Sequence, residues 1–249
     1  MNKDEGFLRK RFIDLSNQAY YSNRPVFSNF LGLNELNILH TTDKSLFPCG
    51  YRTFGGMKTS ERQMAVFTPD AFTIFYPFAV AEITPKYPKF AESLNHRDYL
   101  GSLMGMGIKR EKLGDIILND NKTYVFIHND ILNYLLSDFK QVKHTLVNIK
   151  IIRDISRIKF EEKFTVIKGN VSSLRLDSIL SEGFKLSRKI ASELISSSKV
   201  FVNGKLILSN GYNLKEEDII SARGFGRLEY VRTISLSKKG RLFVEIHKY

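Results

Sequence analysis

The chain holds one cysteine, Cys49, in 249 residues. A single thiol excludes an internal disulfide and every zinc site built on paired thiolates. In the context Phe-Pro-Cys-Gly it reads as a packing residue rather than a nucleophile. Long apolar runs are missing too. Pro69, Asp70, Pro77 and Glu82 interrupt the most hydrophobic stretch, so nothing approaches the roughly 18 residues that span a bilayer. The basic start, with Lys3, Arg9, Lys10 and Arg11, lacks the apolar core and small-residue cleavage site of a secretion signal. These absences predict a soluble, cytoplasmic protein without membrane insertion. Acidic residues are in deficit, with 26 Asp and Glu against 38 Lys and Arg and a formal charge of +12. That balance points to a polyanionic partner, nucleic acid or an anionic surface. The five histidines, His40, His96, His128, His144 and His247, are scattered without metal-ligand spacing, so neither metal nor cofactor is expected.

What is present suffices for packed domains, since 43% of the residues are hydrophobic. Residues 1–64 show mixed helical spacing, with Leu8, Phe12 and Leu15, then Phe30, Leu31, Leu36 and Leu39. They predict a helical N-terminal segment. The stretch Phe54-Gly-Gly-Met-Lys-Thr-Ser-Glu-Arg62 reads as a glycine loop on the surface. Over 65–160 the pattern shifts to short aromatic and β-branched runs, at Met64–Thr68, Phe72–Phe75, Ala79–Thr84, Thr123–His128 and Leu146–Ile152. Helical spacing intervenes at Arg97–Leu113 and Ile131–Phe139. This order predicts an α+β domain with helices on one face of a mostly antiparallel sheet. Lys159–Asn170 reads as a linker, and 170–249 as a separate basic domain carrying 14 Lys and Arg against 8 Asp and Glu.

That last domain holds the most informative signals. Ser172 and Ser173 are positioned to cap a helix bearing Leu176, Ile179 and Leu180, with Gly183 as its stop. Ser187 caps a second, with Ile190, Ala191, Leu194 and Ile195 on one face. Arg188 and Lys189 fall in the first turn of this second helix, where the unpaired amides disfavour cations. A phosphate bound there would reverse the sign. Val200-Phe-Val-Asn-Gly-Lys-Leu-Ile reads as a hairpin around an Asn203-Gly204 turn, flanked by Lys199 and Lys205. Arg223 and Arg227 bracket a Gly-Phe-Gly loop, and Leu242, Val244 and Ile246 alternate as a closing strand. Helix N-terminus, hairpin tip and arginine loop are expected to supply one basic surface for RNA phosphates: Arg175, Ser187, Arg188, Lys189, Lys199, Lys205, Arg223 and Arg227, with Asn203 holding the tip. In the central domain Lys109, Arg110 and Lys112, three cations within four residues, are further candidates for RNA contact.

Arg175-Leu176-Asp177 with Leu180, Ser187-Arg188, Val200-Phe-Val202-Asn203-Gly204 and Asp218-Ile219-Ile220 with Arg223 together resemble the ribosomal-protein S-four (S4) domain. Two of the pattern's usual glycines are absent, with Ser198-Lys199 before the first valine and Glu217 before the late aspartate. Adding Phe27-Ser-Asn-Phe-Leu31, Phe54-Gly-Gly with Ser60-Glu-Arg62, and Arg97-Asp-Tyr-Leu-Gly through Lys112-Leu-Gly-Asp-Ile116, nearly the whole chain is similar to the YlmH family of Gram-positive bacteria. The resemblance implies a helical N-terminal part, a central sheet domain like an RNA-recognition fold, and an S4 domain at 170–249. It also implies association with rRNA of the large ribosomal subunit and with tRNA, in rescue or quality control of stalled peptidyl-tRNA complexes.

S4 modules also target enzymes that modify rRNA or tRNA, the alternative reading. Arg175-Leu176-Asp177 is superficially like the catalytic tripeptide of pseudouridine synthases, but the residues that should follow are absent. Gly105-Met-Gly107 and Gly224-Phe-Gly226 are weak matches to a methyltransferase cofactor loop, and no Gly-Lys-Ser/Thr ending marks a phosphate loop. No catalytic residue is assigned, and the expected protein is a non-enzymatic RNA binder.

Overall fold

The computed structural model describes residues 3–69, 72–119, 122–155, 158, 164–237 and 240–249, and the chain divides into two compact units, Met1–Phe160 and Glu161–Tyr249. No helix among the described residues is long and apolar enough to cross a membrane.

The first unit opens with helix α1 (Lys3–Ser22), which buries Phe12, Ser16 and Ala19 at helical spacing. Strand β1 (Val26–Leu31), helix α2 (Leu33–Thr41), β2 (Gly50–Phe54) and β3 (Gln63–Thr68) follow, and the strands form an antiparallel sheet in the order β1-β3-β2. The helices cover one face through Phe12, Leu36 and Leu39 against Ala65 and Phe67. Cys49 is buried in this core, its amide donating to Ser16 Oγ at 3.2 Å. The N-terminal segment is therefore not purely helical. Met64–Thr68 is a strand as expected, but its partners are β1 and β2 rather than the central sheet.

The central part comprises β4 (Phe78–Pro85), α3 (His96–Gly105), β5 (Leu113–Asn119), β6 (Lys122–His128), α4 (Leu132–Asp138), a short β7 (Gln141–Val142) and β8 (Thr145–Ile152), with sheet order β5-β6-β4-β8-β7. Without β7 this is the split β-α-β plan of a four-stranded RNA-recognition sheet, all antiparallel. Ala79, Ala81 and Ile83 of β4 and Val125 and Ile127 of β6 pack on Tyr99, Leu103, Leu132 and Leu135 of the helices. The helix predicted over Arg97–Leu113 is shorter, because α3 stops at Gly105, Gly107 turns the chain at φ +82° and a 3-10 turn at Arg110–Lys112 leads into β5, a strand the sequence reading did not give. Phe72–Phe75 is not a strand.

In the second unit β9 (Thr165–Val171) occupies much of the expected linker, whose residues 159–163 lie outside the described set. Helices α5 (Leu176–Phe184) and α6 (Arg188–Ser196) cover one face of a sheet built from β9, β10 (Val200–Val202), β11 (Lys205–Leu206), β12 (Asp218–Ala222), β13 (Gly226–Leu236) and β14 (Leu242–Lys248). The strand order is β11-β10-β12-β13-β14-β9. Arg175, not Ser172 or Ser173, is the N-cap residue of α5. Gly183 sits inside that helix under the side chain of Leu228, and the helix ends instead at Lys185 in the left-handed conformation.

Candidate nucleic-acid interface

Two cations at the helix pair are held by short polar contacts. The guanidinium of Arg175 meets the Asp177 carboxylate through Nε at 3.1 Å and Nη2 at 3.4 Å, a fork that fixes its direction while the side chain stays 45% exposed. Asp177 is buried at the start of α5, where its charge suits the helix N-terminus. Ser187 caps α6 as the sequence predicted, its Oγ accepting from the Ile190 amide at 3.2 Å. Arg188 reaches away from its own helix: Nη2 donates to Ser172 Oγ at 2.7 Å and to Ser178 Oγ at 2.9 Å. Its Nε and Nη1 make no hydrogen bond among the described residues, and both Arg188 and its neighbour Lys189 are exposed. Arg188 is thus pre-positioned across the start of α5 rather than closed over the amides of α6.

The hairpin is as its sequence required. Asn203 and Gly204 both have positive φ, +48° and +77°, between paired Val202 and Lys205. Asn203 uses its amide internally, Nδ2 donating to Asp218 Oδ1 at 2.8 Å and Oδ1 accepting from the Ile219 amide at 2.9 Å. It shapes the tip. The hairpin tip and the arginine loop stand at the two ends of one strand. Strand β12 joins the hairpin tip at Asp218 to the arginine loop after Ala222, so the two lie about 13 Å apart along the sheet at ~3.3 Å per residue. Lys199 belongs with the arginine loop, its carbonyl accepting from the Arg223 amide at 2.9 Å. Arg223 and Arg227 lie over the rings of Phe201 and Tyr249, at 5.3 Å and 5.7 Å.

In the first unit the three clustered cations part company. Arg110 turns inward, Nη1 donating to the carbonyls of Leu113 at 2.9 Å and Gly114 at 3.2 Å. Burial, then the neighbouring Arg62 charge, lowers its pKa to about 10. Lys112 pairs with Asp130 at 2.8 Å, and Lys109 is exposed. The three sit on a single 3-10 turn and the residue before it rather than on an α-helix.

The sequence reading missed what happens to the open face of the central sheet. In an RNA-recognition fold that face stacks bases on aromatic side chains. Here Phe78 and Val80 of β4 and Tyr124 and Phe126 of β6 are buried, packed with Phe30 of β1 and Met64 of β3. Gly55, expected on the surface, is buried against Ser60 and the Arg62 carbonyl, and Gly56 is in this contact: a β-carbon on it would overlap the Phe126 ring. Arg62 pins the same junction, Nε donating to Leu113 O at 2.8 Å and Nη2 to Phe30 O at 3.0 Å and Arg110 O at 3.2 Å. Asp115 accepts from the amides of Glu61 and Arg62 at 2.8 Å and 3.1 Å.

A helix pair bearing Arg175 and Arg188 on an antiparallel sheet with an Asn-Gly hairpin defines an S4-type module, and the first unit contains a split β-α-β domain. The S4 domain family model matches residues 174–220, and the model described as a putative RNA-binding domain in YlmH matches 74–156. The chain is 30% identical over 189 residues to ribosome-associated protein quality control protein P2 of Bacillus subtilis, covering 75% of this chain and 73% of that protein. The protein belongs to the YlmH family. The solved structure of cell division protein ylmH from Streptococcus pneumoniae shares the fold, with TM-score 0.51 and 18% identity over 64% of this chain and 97% of that one.

Proposed function

We propose that this protein binds structured RNA, rRNA of the large ribosomal subunit together with tRNA, as a ribosome quality-control factor acting on stalled peptidyl-tRNA complexes, and that it catalyses no reaction. The observation that carries this reading is Arg188, exposed yet held by two serine hydroxyls, together with exposed Lys189 and the oriented fork of Arg175. Fixed, exposed guanidinium groups suit phosphate oxygens, and contacts of this kind position a protein on RNA without reading its bases. The kinship to a protein named for ribosome-associated quality control supports the ribosomal setting.

The test is co-sedimentation with purified large subunits, empty or carrying peptidyl-tRNA, across a salt titration. Arg188→Ala should weaken association and lower the salt slope by about one unit for each phosphate that is no longer neutralised. Equal binding by parent and variant at every salt concentration would remove the site from the account. Incubation of the protein with rRNA and tRNA, followed by nucleoside mass spectrometry, should show no new modification. A modified nucleoside would make it an enzyme.

A further inference from the structure

Residues 223–227 follow the segment matched by the S4 family model, which ends at residue 220. Ala222 pairs with Gly226 across a tight loop, closed by the Phe225 amide donating to Ala222 O at 3.0 Å, with Gly224 and Gly226 at φ +85° and +107°. The turn is made by its glycines and needs no aromatic residue. Nevertheless Phe225 stands at the tip, 39% exposed, with its ring centroid 5.7 Å from that of Phe184. Arg223 and Arg227 flank it in sequence, Lys248 Nζ lies 5.5 Å from the Phe184 ring centroid, and Lys199 is bonded to Arg223 through the backbone. An aromatic ring packed on Phe184, 39% exposed and flanked in sequence by two arginines fits a base flanked by phosphates.

We propose that Phe225 is a stacking platform for an unpaired base of the bound RNA, with Arg223, Arg227 and Lys248 facing the adjoining phosphates. The proposal rests on the RNA-binding reading and adds to it a preference for unpaired nucleotides. It places this contact at the opposite end of β12 from the Asn203 hairpin, so the RNA extends along the sheet rather than touching the helix pair alone.

Two probes test it with the full chain: an RNA hairpin carrying 2-aminopurine at an unpaired loop position, and a fully paired RNA duplex of equal length. The parent should quench 2-aminopurine on binding. Phe225→Leu, which keeps apolar packing on Phe184 but has no ring, should abolish the quench and bind the hairpin about 5-fold or more weakly. Duplex affinity and salt slope should stay the same, and Phe225→Tyr should behave as the parent. If Phe225→Leu matches the parent on the hairpin while Arg188→Ala is weakened, the stacking site is wrong and the RNA-binding reading stands. If Phe225→Leu weakens hairpin and duplex binding alike, the ring serves only the fold and the proposal fails. If the parent binds neither RNA, the reading and the stacking site fall together.

Discussion

The ring of Phe126 lies so close against the backbone of Gly56 that a β-carbon there would overlap ring atoms Cδ1, Cε1 and Cζ. Gly56 also has φ +104°, where a side chain is strained whatever the space. Gly56→Ala should therefore destabilise the first unit by about 3 kcal/mol, from overlap and backbone strain together. Combining it with Phe126→Leu should recover only part of that stability in urea unfolding, because the strain remains. Full recovery would show that overlap alone sets the cost.

Arg62 joins carbonyls from β1, from the 3-10 turn at Arg110 and from the start of β5. Burial lowers its pKa, with Glu35 and Asp115 opposing. Lysine cannot reproduce a planar fork that reaches three acceptors. Arg62→Lys should cost on the order of 2–3 kcal/mol through carbonyls left unpaired. A shift in unfolding midpoint worth under about 0.5 kcal/mol would show that water replaces the guanidinium.

Ser198 and Glu217 stand where the S4 pattern usually has glycine nearby, and both are left-handed, at φ +59° and +70°. That conformation costs each of them stability. Ser198→Gly and Glu217→Gly should each raise the thermal stability of the second unit, by about 0.5–1 kcal/mol after the added chain entropy of glycine. Unchanged or lowered melting would mean that interactions of these side chains outweigh the strain.

Acidification should weaken the central domain in two stages. Burial first, then the charges of Arg110 and Lys112 respectively, lower the pKa of His96 and His128. A depressed folded-state value means the unfolded chain binds the proton more readily, so stability is complete above about pH 6.5 and falls as pH drops below it. Asp98, through hydrogen bonds from the Asn95 amide and Lys143, and Asp130, through Lys112, are lowered as well. Their contributions disappear below about pH 4. The urea midpoint should fall between pH 7.5 and 5.5, and the His96→Gln, His128→Gln double variant should flatten that drop. A parent midpoint that stays constant over this interval would contradict the assignment.

The second unit is legible in the sequence because its signals are local. Ser187 announces a cap, Asn203-Gly204 a turn with two positive φ values, and Leu242, Val244 and Ile246 an alternating face. Arg188 and Lys189 do stand at a helix start, yet only the structure shows that Ser172 and Ser178, 16 and 10 residues away, hold the Arg188 guanidinium. The first unit is harder. Met64–Thr68 reads as a strand, but nothing within it says that its mates are Val26–Leu31 and Gly50–Phe54. Gly55-Gly56 reads as an exposed loop unless one knows that Phe126, far along the chain, fills the space. Lys109, Arg110 and Lys112 look alike in sequence, and only the carbonyls of Leu113 and Gly114 single out the arginine.

The first strand of the second unit, β9, pairs with its last, β14, across seven residue pairs from Val171–Leu242 to Thr165–Lys248. Pairing of first strand with last has a kinetic meaning: residues 165–171 remain an unpaired sheet strand until residue 248 has been synthesised and has left the ribosome that makes it. Closing so long a loop is slow relative to forming the helices or the Asn203 hairpin. The core beneath the helix pair, which includes Val244 and Ile246 of β14, is likewise completed only at that point, and until then the edge of residues 165–171 is open to pairing with other strands.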